Sequence, residues 1–372
     1  MILSRRHFLY GSVTLPALAA EKPAERPNIL LLLAEGLPSW AIGCYGNREI
    51  RTPHIDRLAQ MGTRFTHHLA ATPNAGVNRG SLLTGRTPMQ LKGAAEIPAS
   101  ETTLEKLLSP MGYSCSTLDA SEAARYLDTP AAGKPFFLTV NLPPLRPPYE
   151  GAAQKYLDLY AQAKFDTFNP EGADAVATLR KAAASITSLD DQVQTVFSKI
   201  LQRKLLDHTL VLFASASGDT LSHHGRWGSD NSLYEESMVT PMIWIWAGRV
   251  PAQAVRPELV SAYDLVPTLA ELLTFDAGNR NLCGRSYALL ATGKPLPKKA
   301  PWRTTVFASS PGGGMARVQR YKLVLHAGGG GELYALVADP AEKVNQFDNP
   351  QFVTVRNSLT AEWNAWERRY SA

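Results

Sequence analysis

Cysteine is scarce. Three residues in 372, Cys44, Cys115 and Cys283, lie far apart, so at most one disulfide can form and a disulfide-framed scaffold is excluded. Dense basic runs are missing too. The chain has 38 Lys and Arg against 33 Asp and Glu, a net charge of +5. That mild excess gives nucleic-acid binding no support and leaves only a slight preference for anionic ligands. Beyond the N-terminus no apolar run is long enough to span a bilayer, and neither an internal repeat nor a low-complexity segment is present. His67 and His68 are adjacent in a strand-like stretch, which turns them to opposite sides and argues against a paired metal site.

Ser4-Arg5-Arg6-His7-Phe8-Leu9 matches the twin-arginine export pattern. An apolar stretch from Phe8 to Leu18 follows, with Ala17, Ala19 and Ala20 as small residues for cleavage. Residues 1–20 are therefore read as a signal peptide, the mature protein as periplasmic or secreted, and no membrane span is expected to remain. Twin-arginine substrates fold before crossing, so the fold should not depend on oxidation at its destination.

At 45% hydrophobic residues the chain suffices for one large α/β domain and a smaller appendage. Asn28 to Ala34, NILLLLA, is a continuous apolar run that suits a parallel strand covered on both faces. Phe65–Leu69, Tyr113–Leu118, Lys134–Val140, Thr209–Phe213 and Met242–Trp246 read as further strands. Helices are expected after Pro53, over Arg79–Arg86, over Thr102–Leu108, and from Leu265 to Leu273. A long one lies within Gly172–Leu205, with Ile186, Leu189, Val193, Val196, Phe197 and Ile200 on one face. Asp190 and Asp191 on it are read as a solvated face rather than a metal pair. Asp119 to Lys134 is short, Ala-rich and read as a shortened loop. A Pro/Lys-rich boundary at residues 293–297 separates a core domain (21–297) from a C-terminal α+β subdomain (298–372). In the subdomain Arg303–Phe307, Met315–Leu325 and Glu332–Val337 read as strands, and a final helix over 353–369 brings Val355, Leu359, Trp363 and Trp366 inward.

The most informative stretch is Ala71 to Arg86, ATPNAGVNRGSLLTGR, a polar loop feeding a helix, where free N–H groups and the helix dipole favour an anion. It resembles the active-site segment of the sulfatase family, in the alkaline phosphatase superfamily, whose pattern runs Cys-x-Pro-Ser-Arg into a helix ending Leu-Leu-Thr-Gly-Arg. With Leu82–Arg86 set on that ending, Arg79 falls on the Arg, Asn78 on the Ser, Val77 on the Pro and Ala75 on the Cys that the family oxidises to its formylglycine nucleophile. Further segments agree in order from about residue 26 to 370: Gly43–Asn47, Thr52–Leu58, His224-Gly225-Arg226-Trp227, Tyr234–Ser237, Asp264–Leu269 and Leu333–Asn345. The resemblance implies a large, mixed, mostly parallel α/β sheet sandwiched by helices, alkaline phosphatase-like, with a small C-terminal antiparallel sheet and a packing helix.

The departures gather at the site. After the first strand the family places two calcium-binding Asp residues where this chain has Glu35 and Gly36. After the Thr209–Phe213 strand, Ala216 and Ser217 stand where two more ligands are expected. Ser229 replaces the pocket Lys, Arg146 falls on a sulfate-contacting His, and the Lys/His segment expected after residue 118 is missing. Cys44 has Cys-to-Arg spacing to Arg48 but sits in a framework loop, and is read as a small buried residue. Of the aligned ligands only Glu35 keeps a carboxylate, whereas calcium takes six to eight oxygens. Calcium and formylglycine are therefore expected to be absent. The first reading is a non-catalytic pseudo-sulfatase that binds a sulfated or otherwise anionic glycan through Arg79, Arg146, His224 and Trp227, or that partners an active sulfatase. The alternative is a sulfate or phosphate ester hydrolase with Thr72 or Ser81 as nucleophile, His224 as base and Glu35 holding a metal.

Overall fold

The computed structural model describes residues 26–129, 133–168, 170, 172–229, 231–278 and 281–371; the twin-arginine segment lies outside them. The first apolar run forms β1 (Asn28–Glu35). After it come α1 (Pro53–Met61), β2 (Thr63–Leu69), α2 (Ala75–Thr84) and α3 (Leu104–Leu108). Next are β3 (Ser114–Asp119), α4 (Ala120–Asp128), β4 (Phe136–Pro144) and α5 (Gln154–Asp158). The long α6 (Ala173–Gln202) leads to β5 (Thr209–Ser215), α7 (Glu235–Met238) and β6 (Val239–Ile245). Short β7 (Ala254–Arg256) and β8 (Val260–Ser261) precede α8 (Leu265–Leu273) and α9 (Ala288–Ala291). The tail contains β9 (Val306–Ser310), β10 (Gly313–Arg317), β11 (Tyr321–His326), β12 (Gly331–Ala335) and α10 (Val353–Tyr370).

The large sheet runs β3-β4-β1-β5-β6-β2-β7, with β8 paired to β2. β3, β4, β1 and β5 are mutually parallel, and β6 is antiparallel to both β5 and β2. The period of two along β1 accounts for its all-apolar sequence. Leu30, Leu32 and Ala34 pack with α1, α4 and α6, while Ile29, Leu31 and Leu33 join the side formed by α2, α3 and α8. Each of these leucines contributes about 1.5–3 kcal/mol by leaving water. The carboxyl ends of β1, β4 and β5 open together on one edge, where α/β sheets place ligands.

The small antiparallel sheet, β12-β11-β10-β9, packs under α10. Its apolar residues are continuous with the core cluster, and Ser309 N–H donates to Ala71 O at 2.9 Å, tying β9 to the segment that leads into α2.

Several local readings are corrected. Asp119–Lys134 is not merely a shortened loop: Asp119 and Glu122 form a reciprocal capping box that starts α4, whose Ala120, Ala123 and Leu127 are buried. α2 starts at Ala75 rather than at Arg79. The Met315–Leu325 stretch is two strands, since it turns at residues 318–320. Asp190 is not solvated: it is 0% exposed and accepts the N–H groups of His54 and Ile55 at 3.0 and 2.8 Å, satisfying free donors at the start of α1. Burial pushes its carboxyl up, to about 6, against the pull of those donors.

Candidate functional site

Chain direction changes sharply between β2 and α2, and side-chain caps hold the turn. Asn74 accepts the Val77 N–H at 3.1 Å as the N-cap of α2, leaving Ala75 as the first helical residue. Asn78, fully buried, accepts the Ala71 N–H and donates to Ala216 O, both at 2.7 Å, clamping this turn to the end of β5. At the other end Gly85 adopts φ 72° and donates to Ser81 O at 2.9 Å, a left-handed cap that favours glycine. The Leu-Leu-Thr-Gly ending is thus a buried helix face and its stop.

Ala75 lines a cleft of about 500 Å³ with Glu35, Asn74, Leu145, Arg146, Ser217, Trp227 and Ser229. The start of a ten-residue helix supplies partial positive charge here. Arg146 donates to Glu35 Oε1 at 2.6 Å, and the two side chains are 64% and 40% exposed. That contact joins the carboxylate expected at a metal position to the arginine expected at an anion position.

Beside them, Gly36 has φ +77°, and a Cβ built on it would lie 1.9 Å from Leu145 O. The Leu145 N–H donates to Glu35 O at 2.8 Å, so the loop after β4 is drawn onto the end of β1 where an Asp side chain would project. Ser217 Oγ accepts the Gly36 N–H at 3.1 Å, Ser215 Oγ donates to Ser217 O at 2.7 Å, and Ala216 contributes a buried methyl.

Asp219, one residue past the aligned motif, went unremarked in the sequence. It is fully buried and accepts the Tyr149 hydroxyl at 2.7 Å and the Leu221 and Gly228 N–H groups, both at 2.8 Å. It folds the 219–228 loop back on itself and sets Trp227 and Ser229 in the cleft wall; Trp227 also lies 6.0 Å, centroid to centroid, from the Tyr149 ring. An acid immediately after the Ser-Gly turn was the only sequence signal.

The other expected residues do not all converge. Arg79 donates to Asn141 Oδ1 on β4 at 2.7 Å and is not among the residues lining the cleft. His224 lines a separate cavity on the far side of the Trp227 loop. Its Nε2 lies 3.4 Å from Glu236 Oε2, and its ring stacks on Tyr234 at 3.6 Å. Thr72 is 2% exposed and lines a third cavity, reached past Asn74 and walled by β9, β10 and α10, while Ser81 is fully buried. Thr72, His224 and Glu35 therefore do not share one cavity. Cys44 is partly buried and free; burial and the neighbouring Asp56 push its thiol up to about 12, away from reactivity. His68 is buried against Thr240 at 2.8 Å, and His67 faces the Pro257 carbonyl at 3.1 Å.

The sulfatase family model matches residues 27–158 and 118–275, and the model for the N-sulphoglucosamine sulphohydrolase C-terminal region matches residues 223–369. Arylsulfatase A of Homo sapiens is 27% identical over 367 residues, covering 76% of this chain and 71% of that protein. Steryl-sulfatase of Rattus norvegicus is 42% identical over a shorter stretch of 110 residues, 26% of this chain, so the match spans only 19% of that relative's length. Among solved structures, the phosphonate monoester hydrolase of Agrobacterium radiobacter superposes with a TM-score of 0.80 at 18% identity, over 93% of this chain and 96% of that one. A protein solved with its substrate D-glucosamine-2-N,6-O-disulfate does so with a TM-score of 0.78 at 17% identity, over 93% and 98%. These superpositions share the mostly parallel sheet, and the family models cover most of its length: this chain belongs to the sulfatase family.

Proposed function

We propose that this chain is a non-catalytic member of the family whose cleft binds a sulfated or otherwise anionic glycan. The observation that carries the reading is Ala75 as the first residue of α2. A methyl group stands where the nucleophile would be generated, and it can be neither oxidised to an aldehyde nor add to sulfur. The metal positions support the same reading. Calcium requires six to eight oxygens, several of them carboxylate. Glu35 is committed to Arg146, Gly36 is closed over by Leu145 O, Ala216 carries no donor and the Ser217 hydroxyl already accepts a backbone N–H. The residues present do not fit the ion.

What remains suits recognition of an anion. Arg146 spends one N–H on Glu35 and keeps others for a two-point contact with a sulfate or carboxylate. The start of α2 adds its dipole, and Trp227 offers an aromatic wall for a sugar face. The glycan assignment draws on the structural relative solved with a disulfated glucosamine. Export by the twin-arginine route belongs to the same proposal and rests on Ser4–Leu9 alone; a reporter fused behind residues 1–25 that stays in the cytoplasm contradicts it.

The test is a panel of sulfated and unsulfated oligosaccharides titrated against the purified protein, with aryl sulfate turnover followed in parallel. Sulfate-dependent binding that Arg146→Ala weakens at least several-fold, without turnover, is the expected result. Turnover of a sulfate ester, or binding indifferent to both sulfate and Arg146, contradicts it.

A further inference from the structure

The His224 ring leads away from the cleft into a buried group of charges at the seam between the core and the small sheet. The core contributes Glu235 and Glu236 on α7 and His224 on the 219–228 loop. The other side contributes Arg317 on β10, Lys322 on β11 and Glu342 after β12. Lys322 is fully buried. Its Nζ pairs with Glu342 Oε1, donates to Leu233 O at 2.7 Å and lies 3.6 Å from Glu235 Oε1. Arg317 donates to Glu235 Oε2 at 3.0 Å, and Glu342 Oε2 accepts the Glu235 N–H at 2.7 Å. Tyr234 stacks on His224 with Lys322 5.9 Å from its ring. His67 and His223 stand at the edge: burial and Arg317 lower the proton affinity of His67, and His223 Nδ1 lies 3.1 Å from Thr220 O.

The fixed charges do not balance. Three carboxylates face two permanent cations, which leaves a largely buried region, open to water mainly at Glu235, one positive charge short; that is a costly state for Glu342 and Lys322, whose side chains are fully buried. Three side chains converge on the deficit: His224, Glu236 and Glu342 each bring one nitrogen or oxygen within 4.8 Å of the others, with His224 Nε2 3.4 Å from Glu236 Oε2 and Lys322 Nζ against Glu342 Oε1. A divalent metal there would overshoot by one charge and would have to displace Lys322 from Glu342. A single proton restores neutrality and gives these atoms a donor.

We propose that this seam holds one titratable proton, carried by Glu342 where it faces Glu236 and His224, and that its loss loosens the docking of the small sheet and of the loop carrying Trp227. The proton affinities agree in direction. Burial pushes the Glu342 carboxyl up from its usual 4.5 to about 7 against the pull of Lys322, with Glu235 adding to the rise. Burial also acts to raise Glu236 and Glu235, but contacts with His224 in the first and with Lys322 and Arg317 in the second bring both below the usual range. Glu342 thus binds its proton more tightly in the folded protein than in the unfolded one. Its stabilising contribution is complete below 4.5 and is lost as pH rises through about 7.

Thermal unfolding of the full chain and of Glu342→Gln, at about pH 5 and about pH 8, reads this directly. The amide mimics the protonated acid, so the Tm of the variant relative to the unsubstituted protein should rise by several degrees between the two pH values. A difference that stays constant between the two pH values, or that shifts in favour of the unsubstituted protein, is what an ordinary partner of Lys322 ionised throughout this range would give, and it overturns the proposal. Should the variant fail to fold, carbon-13 carboxyl shifts of glutamate-labelled protein decide. One Glu titrating near neutrality is expected, and none doing so overturns the assignment. Stabilisation by zinc at neutral pH that disappears in His224→Ala also overturns it, in favour of a metal site.

Discussion

A side chain at position 36 would meet the Leu145 carbonyl 1.9 Å from its Cβ while holding φ at +77°. Gly36→Asp, the change that would restore the family residue, should therefore destabilise the fold by about 3 kcal/mol through steric and left-handed backbone strain; denaturant unfolding measures it, and an unchanged midpoint would show that the loop yields freely. Glu35→Gln should act differently. The exposed Glu35–Arg146 pair contributes less than about 1 kcal/mol to stability, but removing its negative charge frees Arg146, so a sulfated ligand should bind several-fold tighter with little change in Tm. At this scale the sequence was legible where the message is a missing atom. Ala75, Gly36 and Ala216 lack donors in any conformation. The Glu35–Arg146 contact was not legible, because it joins residues 111 apart that motif alignment had assigned to separate tasks. Asp219 was missed because its partners, the nearby Leu221 and Gly228 N–H groups and the Tyr149 hydroxyl 70 residues away, form no pattern that a motif describes.

Helices and strands followed from periodicity wherever the apolar pattern was long, as in β1, β5 and α6. Capping was decisive elsewhere. The Asp119-x-x-Glu122 box that starts α4 is present in the sequence, but the family's longer segment at this point masks it, since a short Ala-rich stretch also fits a truncated loop. Asp190 looked like a solvated helix residue because its partners, the first N–H groups of α1, belong to another element. Asp190→Ala should cost about 1–2 kcal/mol, the usual loss for a helix cap, and hydrogen exchange at residues 54–57 should accelerate selectively. In Asp219→Ala the Leu221 and Gly228 N–H groups and the Tyr149 hydroxyl lose a buried acceptor. A loss of about 3 kcal/mol is expected, together with weaker glycan binding as Trp227 leaves the cleft wall. Unaltered binding in a folded Asp219→Ala protein would separate the loop from recognition.

For the molecule as a whole, the sheet was legible because several family-like segments occur in the same order along the chain. The division of labour between its cavities was not. His224 and Trp227 are three residues apart and line one cavity together, yet of the two Trp227 alone also lines the Ala75 cleft, while His224 meets Glu236 at the seam beneath the small sheet. The Ala75 cleft lies at the carboxyl ends of β1 and β5, and under the proposed reading a closed glycine, a methyl and an ion pair stand at the positions expected to gather a cation. Calcium titrated calorimetrically into the chelator-treated protein tests this most directly. The account predicts no saturable heat and no change in Tm at millimolar calcium, whereas stoichiometric binding abolished by Glu35→Gln would contradict it.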